Sequence, residues 1–455
     1  MRMNVYSRNG RHLLVFADQP QWLVVDDVGK DIADNLFLKK KSIKQIVASY
    51  PQEEREVVQS TCAEIVELTS GSKENEVRIN KPLTSHATIA MISLTRTCNL
   101  ACPHCYVDAR KTKGIELSLK EHELLAKQVK EVLATNDLLE YQVNLTGGEP
   151  FMRSDISEIV CIYYESGFRV SISTNGLLIK DRHLDLLHQV DAALSISLDG
   201  SSANAHEIIR GPGTFKPTVQ NIRMLVEREI RVSVNYLVHA GNINELGETI
   251  SLAYDLGCAA FNPINLIHLG RARKSKLQRA PEAEIFRTLA GHLVTHPEQQ
   301  AMFRKTSLFS SLGAALMGGI ICVSCGVGDR PCVYITPEGD VYPCSNTQDP
   351  KFYLGNIRER SLVDCLSKKQ PVYVELQTLD VDHLNDICAK CDVRYFCGGD
   401  CRGETFKVTG DLYSPYAHCL DRHDSIIELM WIVSESPELF AERSAEYVMN
   451  ADRQA

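Results

Sequence analysis

A regular alternation of strand-like and helix-like segments through the middle of the chain is the feature that most constrains the fold. Apolar runs rich in β-branched residues alternate with amphipathic stretches whose apolar residues recur every three to four positions. The predicted strands are residues 91–97, 141–146, 169–174, 193–198, 231–237 and 259–265. The predicted helices are residues 118–134, 154–166, 181–189, 215–228 and 242–256. This pattern predicts an α/β fold with a parallel sheet covered by helices.

The number of β/α units limits the architecture. Six units are fewer than the eight of a closed barrel, so the pattern fits a partial barrel or an open doubly wound sheet. In both architectures, ligands bind at the carboxyl ends of the strands. Candidate site residues are therefore expected in the loops that follow the strands.

Three cysteines follow the first predicted strand in a CxxxCxxC run, at Cys98, Cys102 and Cys105. Thiolates at this spacing can hold three irons of a [4Fe-4S] cube, whereas electron-transfer clusters usually have a cysteine on every iron. The fourth iron is then open to a ligand from outside the protein. The run therefore predicts a cluster that takes part in chemistry.

Cysteine content and charge narrow the class of protein. Sixteen cysteines, with no apolar signal segment after Met1, predict a cytoplasmic protein whose cysteines bind metal clusters rather than form disulfides. A net charge of -9 argues against a general nucleic-acid binder. The longest apolar stretch, residues 312–323, is shorter than the roughly 20 residues that a membrane span needs. We therefore expect neither nucleic acid nor membrane as a partner.

Glycines and hydrogen-bonding residues follow the next three predicted strands. These loops read Thr-Gly-Gly-Glu-Pro at 146–150, Ser-Thr-Asn-Gly at 173–176 and Ser-Leu-Asp-Gly at 197–200. Each loop alone is typical of a tight turn. Parallel strands, however, would bring all three to the rim that carries the CxxxCxxC run. There, glycine lets the backbone approach a ligand, and polar side chains can hold amines and ribose hydroxyls.

Together, these motifs resemble the radical S-adenosylmethionine (SAM) superfamily over roughly residues 90–270. The resemblance implies a partial (β/α)6 TIM-type barrel, with a cluster on Cys98, Cys102 and Cys105 whose open iron binds the amino and carboxylate groups of SAM. The implied SAM contacts are Tyr106, Gly147, Gly148, Glu149, Ser173, Asn175 and Asp199. In one branch of the superfamily, an arginine corresponding to Arg210 meets the SAM carboxylate. The alternative places Arg210 in an exposed loop.

A second group of cysteines occupies the last third of the chain. Its order resembles the SPASM domain, which holds up to two auxiliary [4Fe-4S] clusters in radical SAM enzymes that modify peptides. Structural zinc is the alternative, but one zinc ion takes four ligands, whereas seven or eight cysteines are present here. The resemblance therefore favours clusters over zinc.

The SPASM resemblance implies two sets of ligands. The first cluster would be held by Cys325, Cys344 and Cys401, with Cys322 as the expected fourth ligand and Cys332 as the alternative. If neither binds, the first cluster keeps an open iron for a substrate thiolate. The ligands of the second cluster would be Cys388, Cys391, Cys397 and Cys419. The cysteines expected to be small buried apolar residues are Cys62, Cys161, Cys258 and Cys365.

The first 85 residues are predicted to form a small separate unit. Residues 13–16 and 22–25 read as a hairpin, and helices at 27–38, 42–49 and 53–68 precede a polar linker at 70–80. This order is similar to the PqqD-like peptide recognition element, a winged-helix module. The resemblance implies that a leader peptide adds as a strand to the edge around residues 13–25. A stabilising or dimerising domain is the alternative.

The resemblances imply four regions: a leader-recognition domain at 1–85, a radical SAM partial barrel at 86–310, a SPASM domain at 311–425 and a helical tail at 426–455. They imply a peptide maturase that cleaves SAM reductively to a 5'-deoxyadenosyl radical. The radical would remove a hydrogen atom from a ribosomally synthesised precursor peptide, and a thioether or carbon–carbon crosslink would follow. The implied cofactors are SAM and three [4Fe-4S] clusters, one binding SAM and two auxiliary. An external one-electron reductant of the flavodoxin or ferredoxin type is expected.

The sequence leaves two alternative functions. An anaerobic sulfatase maturase, which oxidises Cys or Ser to formylglycine, is the alternative enzyme. That family carries an Asp after its Tyr-Pro-Cys motif as a general base, whereas Ser345 follows Cys344 here. A scaffold with structural or decayed clusters is disfavoured by the intact CxxxCxxC and Gly-Gly-Glu-Pro motifs. The sequence identifies no catalytic acid or base.

Overall fold

The N-terminal unit is a three-stranded antiparallel sheet followed by three helices. The computed structural model describes residues 2–69, 78–79, 88–109, 114–134, 142–303, 308–318, 321–328 and 333–441. The elements of the unit are β1 (Met3–Arg8), β2 (Arg11–Phe16), β3 (Gln21–Val25), α1 (Asp27–Ala33), α2 (Ile43–Ala48) and α3 (Arg55–Thr69). The predicted hairpin is therefore present, as β2 and β3. Most of the predicted linker at 70–80 lies outside the described residues.

Strand β1 was not predicted, and it changes which edge of the sheet is free. The strand order is β1-β2-β3, so β2 is paired on both sides and residues 13–16 cannot accept another strand. The sequence predicted a free sheet edge around residues 13–25. Within that range, only β3 has an unpaired side, and the prediction is corrected accordingly. Met3 and Val5 of β1 pack into the core of the unit. Even-numbered polar residues alternate with them, which is the period of a half-buried strand.

Six parallel strands form the centre of the structure, in the order of the chain. A two-residue strand, β4 (Arg78–Ile79), precedes them. The parallel strands are β5 (Thr88–Ser93), β6 (Gln142–Thr146), β7 (Arg169–Thr174), β8 (Ala193–Ser197), β9 (Arg231–Val238) and β10 (Ala260–Asn265). The helices are α4 (Leu119–Ala134), α5 (Ile156–Glu165), α6 (Asp181–Gln189), α7 (Ala203–Arg210), α8 (Phe215–Glu227), α9 (Leu246–Asp255), α10 (Glu282–Thr295) and α11 (Leu308–Gly318). The predicted α/β class with a parallel sheet is confirmed.

The C-terminal part continues the same sheet. The first C-terminal strand, β11 (Ile321–Cys322), pairs with β4 in a separate two-stranded sheet. The strands that extend the main sheet are β12 (Val333–Ile335), β13 (Asp340–Tyr342) and β14 (Gly355–Asn356). Its helices are α12 (Leu362–Cys365), α13 (Pro371–Gln377), α14 (Asp386–Lys390), α15 (Arg394–Cys397), α16 (Arg402–Thr409) and α17 (Cys419–Glu435). β12 pairs in parallel with β5, and β13 and β14 follow antiparallel, which makes an open nine-stranded sheet.

Helix α17 crosses the expected border between the SPASM domain and the tail at residue 425. It begins at Cys419 rather than at residue 426, and it ends at Glu435. The expected tail beyond residue 441 lies outside the described residues. None of the helices in the described segments combines the length and apolar character needed to cross a bilayer.

The two faces of the parallel sheet differ in polarity. One face packs into the main apolar core; its fully buried residues include Val143, Leu145, Ile172, Leu194 and Val234. The other face is polar and half-buried; it includes Asn144, Ser173, Ser195, Asn235 and Asn262. Parallel sheets covered on both sides usually have two apolar faces. A polar inner face therefore indicates that the sheet lines a space for a polar ligand.

Candidate active site

The CxxxCxxC loop leaves the sheet just after β5. Cys98 Sγ accepts a hydrogen bond from the Leu100 N–H at 3.4 Å, and Cys105 Sγ accepts one from the Ala109 N–H at 3.4 Å. Cys102 is buried, with an exposed fraction of 7%. Backbone donors that point at sulfur stabilise the thiolate, which is the form that binds iron.

Two glycines hold the second strand-end loop against the segment that leads into the CxxxCxxC loop. The Gly148 N–H donates to the Thr95 carbonyl at 2.7 Å, and the Glu149 N–H donates to the Thr97 carbonyl at 2.8 Å. A Cβ atom on Gly148 would lie 2.2 Å from the Thr97 oxygen. Gly147 has a φ of +141°, and a Cβ there would lie 2.6 Å from the Thr95 oxygen. Only glycine fits at these positions without backbone movement.

The Glu149 carboxylate is fully buried and joins two loops. Its Oε1 accepts hydrogen bonds from the Thr174 hydroxyl at 2.7 Å and the Phe151 N–H at 3.1 Å. Its Oε2 accepts one from the Asn175 N–H at 2.8 Å. Burial raises the pKa of Glu149, while these donors act in the opposite direction. Glu149 was expected to contact SAM; its contacts in the structure tie the second strand-end loop to the third.

Side chains from the loop after β7 and from the end of helix α7 reach the cysteine sulfurs. Asn175 Nδ2 lies 3.9 Å from Cys98 Sγ and donates to Asn99 Oδ1 at 2.8 Å. Arg210 Nη1 lies 3.9 Å from Cys102 Sγ. The Arg210 side chain is 13% exposed, so the interpretation of an arginine in an exposed loop is wrong.

Asp199 holds Arg210 in place. Asp199 Oδ2 accepts a hydrogen bond from Arg210 Nε at 2.5 Å, and Oδ1 accepts one from the Leu237 N–H at 2.7 Å. Burial alone would raise the pKa of Asp199, but the Arg210 charge and these hydrogen bonds bring it below its ordinary value. Ser173 lies farther along the polar face, where its hydroxyl donates to Asn144 Oδ1 at 3.1 Å.

Three histidines near Asp199 and Arg210 were missed in the sequence: His206 and His239 are buried, and His104 is half-buried. His104 Nδ1, His206 Nε2 and His239 Nε2 have no hydrogen-bond partner within the described part of the chain. Burial, and then the Arg210 charge, lowers the pKa of His104 to about 3, so its ring is neutral near pH 7. The sequence offered one signal for these site residues, which is the position of His104 inside the CxxxCxxC run. These nitrogens are free to hydrogen-bond a ligand.

The C-terminal cysteines form two groups. The first group consists of Cys325, Cys344 and Cys401. Burial raises the pKa of Cys344 to about 12, and the nearby thiolates of Cys401 and Cys325 also raise it. The second group, in which the thiolates likewise repel one another, consists of Cys388, Cys391, Cys397 and Cys419. Buried thiols of raised pKa become thiolates readily only beside a cation. Both groups are therefore suited to bind iron through their thiolates.

Cys322, the expected fourth ligand of the first group, lies beside the second group. Its Sγ would be 2.5 Å from a Cβ on Gly398, the neighbour of Cys397, and it donates to the Ser324 carbonyl at 3.4 Å. Cys332 is outside the described residues. Among the residues that the structure describes, no three His, Cys, Asp or Glu side chains converge on a single-ion site. The four cysteines that were expected to be small buried apolar residues are not in disulfides. Cys62, Cys258 and Cys365 are buried, and Cys161 is half-buried.

An open cavity of about 520 Å³ lies between the CxxxCxxC loop, the loop after β10 and the C-terminal part. Its lining includes Tyr106, Gly270, Arg273, Asp349 and Lys407. Tyr106 also lies close enough to Ser345, the neighbour of Cys344, for the serine to act on the pKa of the tyrosine hydroxyl. The cavity therefore lies between the CxxxCxxC loop and the first C-terminal cysteine group.

Comparison with known families matches both regions. The radical SAM superfamily model matches residues 92–253, and the model of the SPASM iron-sulfur cluster-binding domain matches residues 325–392. The chain therefore belongs to the radical SAM superfamily, whose enzymes use an iron–sulfur cluster and SAM. Within that superfamily, it carries a SPASM domain for further clusters.

Individual relatives cover most of the chain. An AdoMet-dependent heme synthase of Methanosarcina barkeri is 26% identical over 72% of this chain and 95% of its own length. The mycofactocin maturase MftC of Mycolicibacterium smegmatis is 29% identical over 72% of this chain and 81% of its own length. The SAM-bound structure of Streptococcus suis SuiB matches 92% of this chain and 98% of SuiB, with a TM-score of 0.60 at 17% identity. SuiB bound to its precursor peptide SuiA gives a TM-score of 0.59 over 92% and 98% at 16% identity. At this identity, the likeness to SuiB shows the fold.

Proposed function

We propose that the chain is a radical SAM peptide maturase that installs a thioether or carbon–carbon crosslink in a ribosomally synthesised precursor peptide. The observation that carries the proposal is the convergence of side chains at one rim of the sheet. Asn175 and Arg210 each lie 3.9 Å from a CxxxCxxC sulfur. Two relatives support a peptide substrate, since one is named a mycofactocin maturase and the other was solved with a precursor peptide.

The side chains at the rim fit a cluster with one open iron and SAM bound to it. Cys98, Cys102 and Cys105 supply three thiols, and none of the described cysteines is in a disulfide. When bound and reduced, the cluster supplies the electron that cleaves SAM to the 5'-deoxyadenosyl radical. Arg210 offers a buried cation for the SAM carboxylate, and Asp199 holds its guanidinium by a hydrogen bond of 2.5 Å.

The two faces of the sheet are proposed to have different roles, one in binding the ligand and the other in excluding water. Asn144, Asn235 and Asn262 present amide groups on the polar face. Amides suit ribose hydroxyls and peptide groups, which both donate and accept hydrogen bonds. The opposite face is sealed by packing against the helices, which keeps water away from the reacting atoms.

The two C-terminal cysteine groups are proposed to hold two auxiliary [4Fe-4S] clusters, for three clusters in all. The first would use Cys325, Cys344 and Cys401. Cys322 would be its fourth ligand if its thiol turned from the second group toward Cys401, and Cys332 is the alternative. Its group lies beside Tyr106 and the open cavity, where the core peptide would bind. An external one-electron reductant of the flavodoxin or ferredoxin type would supply electrons.

The leader of the precursor peptide is proposed to add to β3. This strand pairs only with β2 among the described residues, so its other side offers unpaired backbone groups. All five of its side chains are half-buried, and they could select alternate residues of an added strand. Main-chain hydrogen bonds would supply the affinity.

A sulfatase-maturase activity is not favoured by the geometry. The position after Cys344 carries Ser345, which lies near Tyr106. A serine hydroxyl is a far weaker base than the carboxylate that this activity uses. The structure therefore offers no support for formylglycine formation at this position.

The proposal is tested by SAM cleavage with a matched control. Reconstituted protein with dithionite and SAM should form 5'-deoxyadenosine, and replacement of Cys98, Cys102 and Cys105 by Ala should abolish it. Cys161→Ala, which makes the same change on α5 outside every proposed site, should leave it unaltered. With the peptide encoded beside the gene, mass spectrometry should show the loss of two hydrogen atoms. Cleavage that survives in the triple variant would contradict the assignment.

A further inference from the structure

The outer face of β1 lies against the C-terminal part of the chain. Side chains alternate along a strand, so residues 2, 4, 6 and 8 share one face. Arg2 Nη1 donates to the Lys390 carbonyl at 3.3 Å, and Arg8 pairs with Glu428 of α17 at 2.5 Å. Lys390 directly precedes a cysteine of the second group. One face of the N-terminal sheet is therefore docked next to that group.

Between these two contacts, Asn4 and Tyr6 converge on Asp392. The Asn4 amide donates to Asp392 Oδ2 at 2.6 Å, and the Tyr6 hydroxyl donates to the same oxygen at 2.6 Å. His423 Nε2 lies 3.0 Å from Asp392 Oδ1 and 3.2 Å from the Tyr6 hydroxyl. Asp392 itself is only 5% exposed. Within the described part of the chain, the hydrogen-bond partners of the Asp392 carboxylate thus come from β1 and α17.

The position of Asp392 gives these contacts a chemical meaning. It follows Cys391 in the chain, and His423 lies one helical turn after Cys419 on α17. A buried carboxylate is costly unless donors satisfy it, so loss of the β1 donors would destabilise the present position of Asp392. The backbone that carries Cys391 would move with it. Two cysteines of the second group are thus connected to β1 through one carboxylate.

We propose that Asn4 and Tyr6 are positioning residues for the second auxiliary cluster, and that cluster loading and docking of the N-terminal sheet stabilise each other through Asp392. The inference rests on the proposed assignment of Cys388, Cys391 and Cys419 as ligands. Coupling of this kind is reciprocal: what strengthens one side strengthens the other. The sheet involved is the one whose opposite edge, β3, is proposed to bind the leader.

The test uses the full chain and a matched control in the same unit. Asn4→Ala with Tyr6→Phe removes both donors. Tyr50→Phe removes an equivalent bond, because the Tyr50 hydroxyl donates to Asp31 at 2.6 Å within the N-terminal unit. Both variants are made in a background that lacks the three CxxxCxxC cysteines, so that only auxiliary clusters contribute to the electron paramagnetic resonance (EPR) spectrum. Iron content, the EPR signal and the midpoint potentials are measured.

Loss of iron, or a shift of one EPR signal and its potential, is expected in the Asn4/Tyr6 variant and not in Tyr50→Phe. In the other direction, Cys391→Ser in the otherwise native chain should lose iron and speed amide hydrogen exchange at residues 3–8. Identical spectra in the Asn4/Tyr6 and Tyr50 variants, or unchanged exchange in Cys391→Ser, would overturn the inference alone. If Cys391→Ser loses no iron, the ligand assignment in the proposed function fails as well.

Discussion

Replacing Gly148 by Ala is the sharpest test of how the site is built. The added Cβ would lie 2.2 Å from the Thr97 carbonyl oxygen, 1.2 Å inside the 3.4 Å at which ordinary contact begins. The obstacle is backbone, so the loops must separate and lose the hydrogen bonds to Thr95 and Thr97. Overpacking costs about 1–3 kcal/mol and each lost hydrogen bond about 1 kcal/mol, which gives a local destabilisation of about 3–5 kcal/mol.

The displacement should be visible in the iron content, because Thr97 precedes Cys98. We expect Gly148→Ala to lose the SAM-binding cluster and keep the auxiliary ones, so that iron falls from about twelve to about eight atoms per chain. Formation of 5'-deoxyadenosine should fall with it. Gly291→Ala is the matched control: this residue lies in α10 and its Cβ would meet nothing within 4 Å. There the same substitution should stabilise the chain by about 0.5–1 kcal/mol.

If Gly148→Ala binds a full complement of iron and cleaves SAM at the native rate, the second loop does not support the cysteine segment. The close approach of Gly148 to Thr97 would then be irrelevant to the position of Cys98. A Gly291→Ala variant that loses iron would show that the assay reports general instability.

Two further predictions concern the cofactor ligands. Arg210→Met should weaken SAM binding about 10- to 100-fold, because a hydrogen bond to a charged group contributes about 1.5–3 kcal/mol. The control is Arg228→Met, which removes an exposed ion pair with Asp185 and should leave SAM binding unchanged. Equilibrium binding of SAM to the reconstituted variants measures the difference. Cys322→Ser should lower bound iron by part or all of one cube relative to Cys258→Ser, whose thiol is buried in the apolar core. Equal iron in both cysteine variants would favour Cys332 as the fourth ligand.

The local sequence pattern predicted the bounds of those strands whose ends depend only on neighbouring residues. Strand β7 begins at Arg169 and ends at Thr174, as predicted, because its apolar residues Val170 and Ile172 alternate with polar ones. The end of β5 was misplaced at residue 97. Thr95 and Thr97 have the β-branched character of a strand, but their carbonyls pair with the Gly-Gly loop some fifty residues later. A contact so distant in sequence cannot be read from local pattern.

Strand β1 shows the opposite error, since its signal was present and was missed. Met3 and Val5 alternate with polar residues, which is the ordinary pattern of a strand with one buried face. What the sequence could not show is where the polar face points. The partner of Tyr6 lies 386 residues away, at Asp392.

The site was predictable as a set of residues and much less so as a set of contacts. The motifs identified Asn175, Asp199 and Arg210 as members of one rim. Arg210 and Cys102 are 108 residues apart in the chain, so the motifs could not show that their side chains lie close together. Glu149 was expected to face SAM, yet its carboxylate is engaged by neighbouring loops, because a buried carboxylate takes every donor within reach.

The pairing of β12 with β5 has a consequence for dissecting the chain. Ile335 lies opposite Ile92 in one continuous sheet, so the expected border at residue 310 does not separate two independent bodies. A fragment of residues 86–310 would leave β5 as a bare edge, and unpaired edges of apolar strands promote aggregation. The same continuity means that the spacing between the CxxxCxxC loop and Cys344 is set by strand geometry and not by a hinge. Swapping C-terminal modules between relatives would thus require matching the strand register, not only the cysteine pattern.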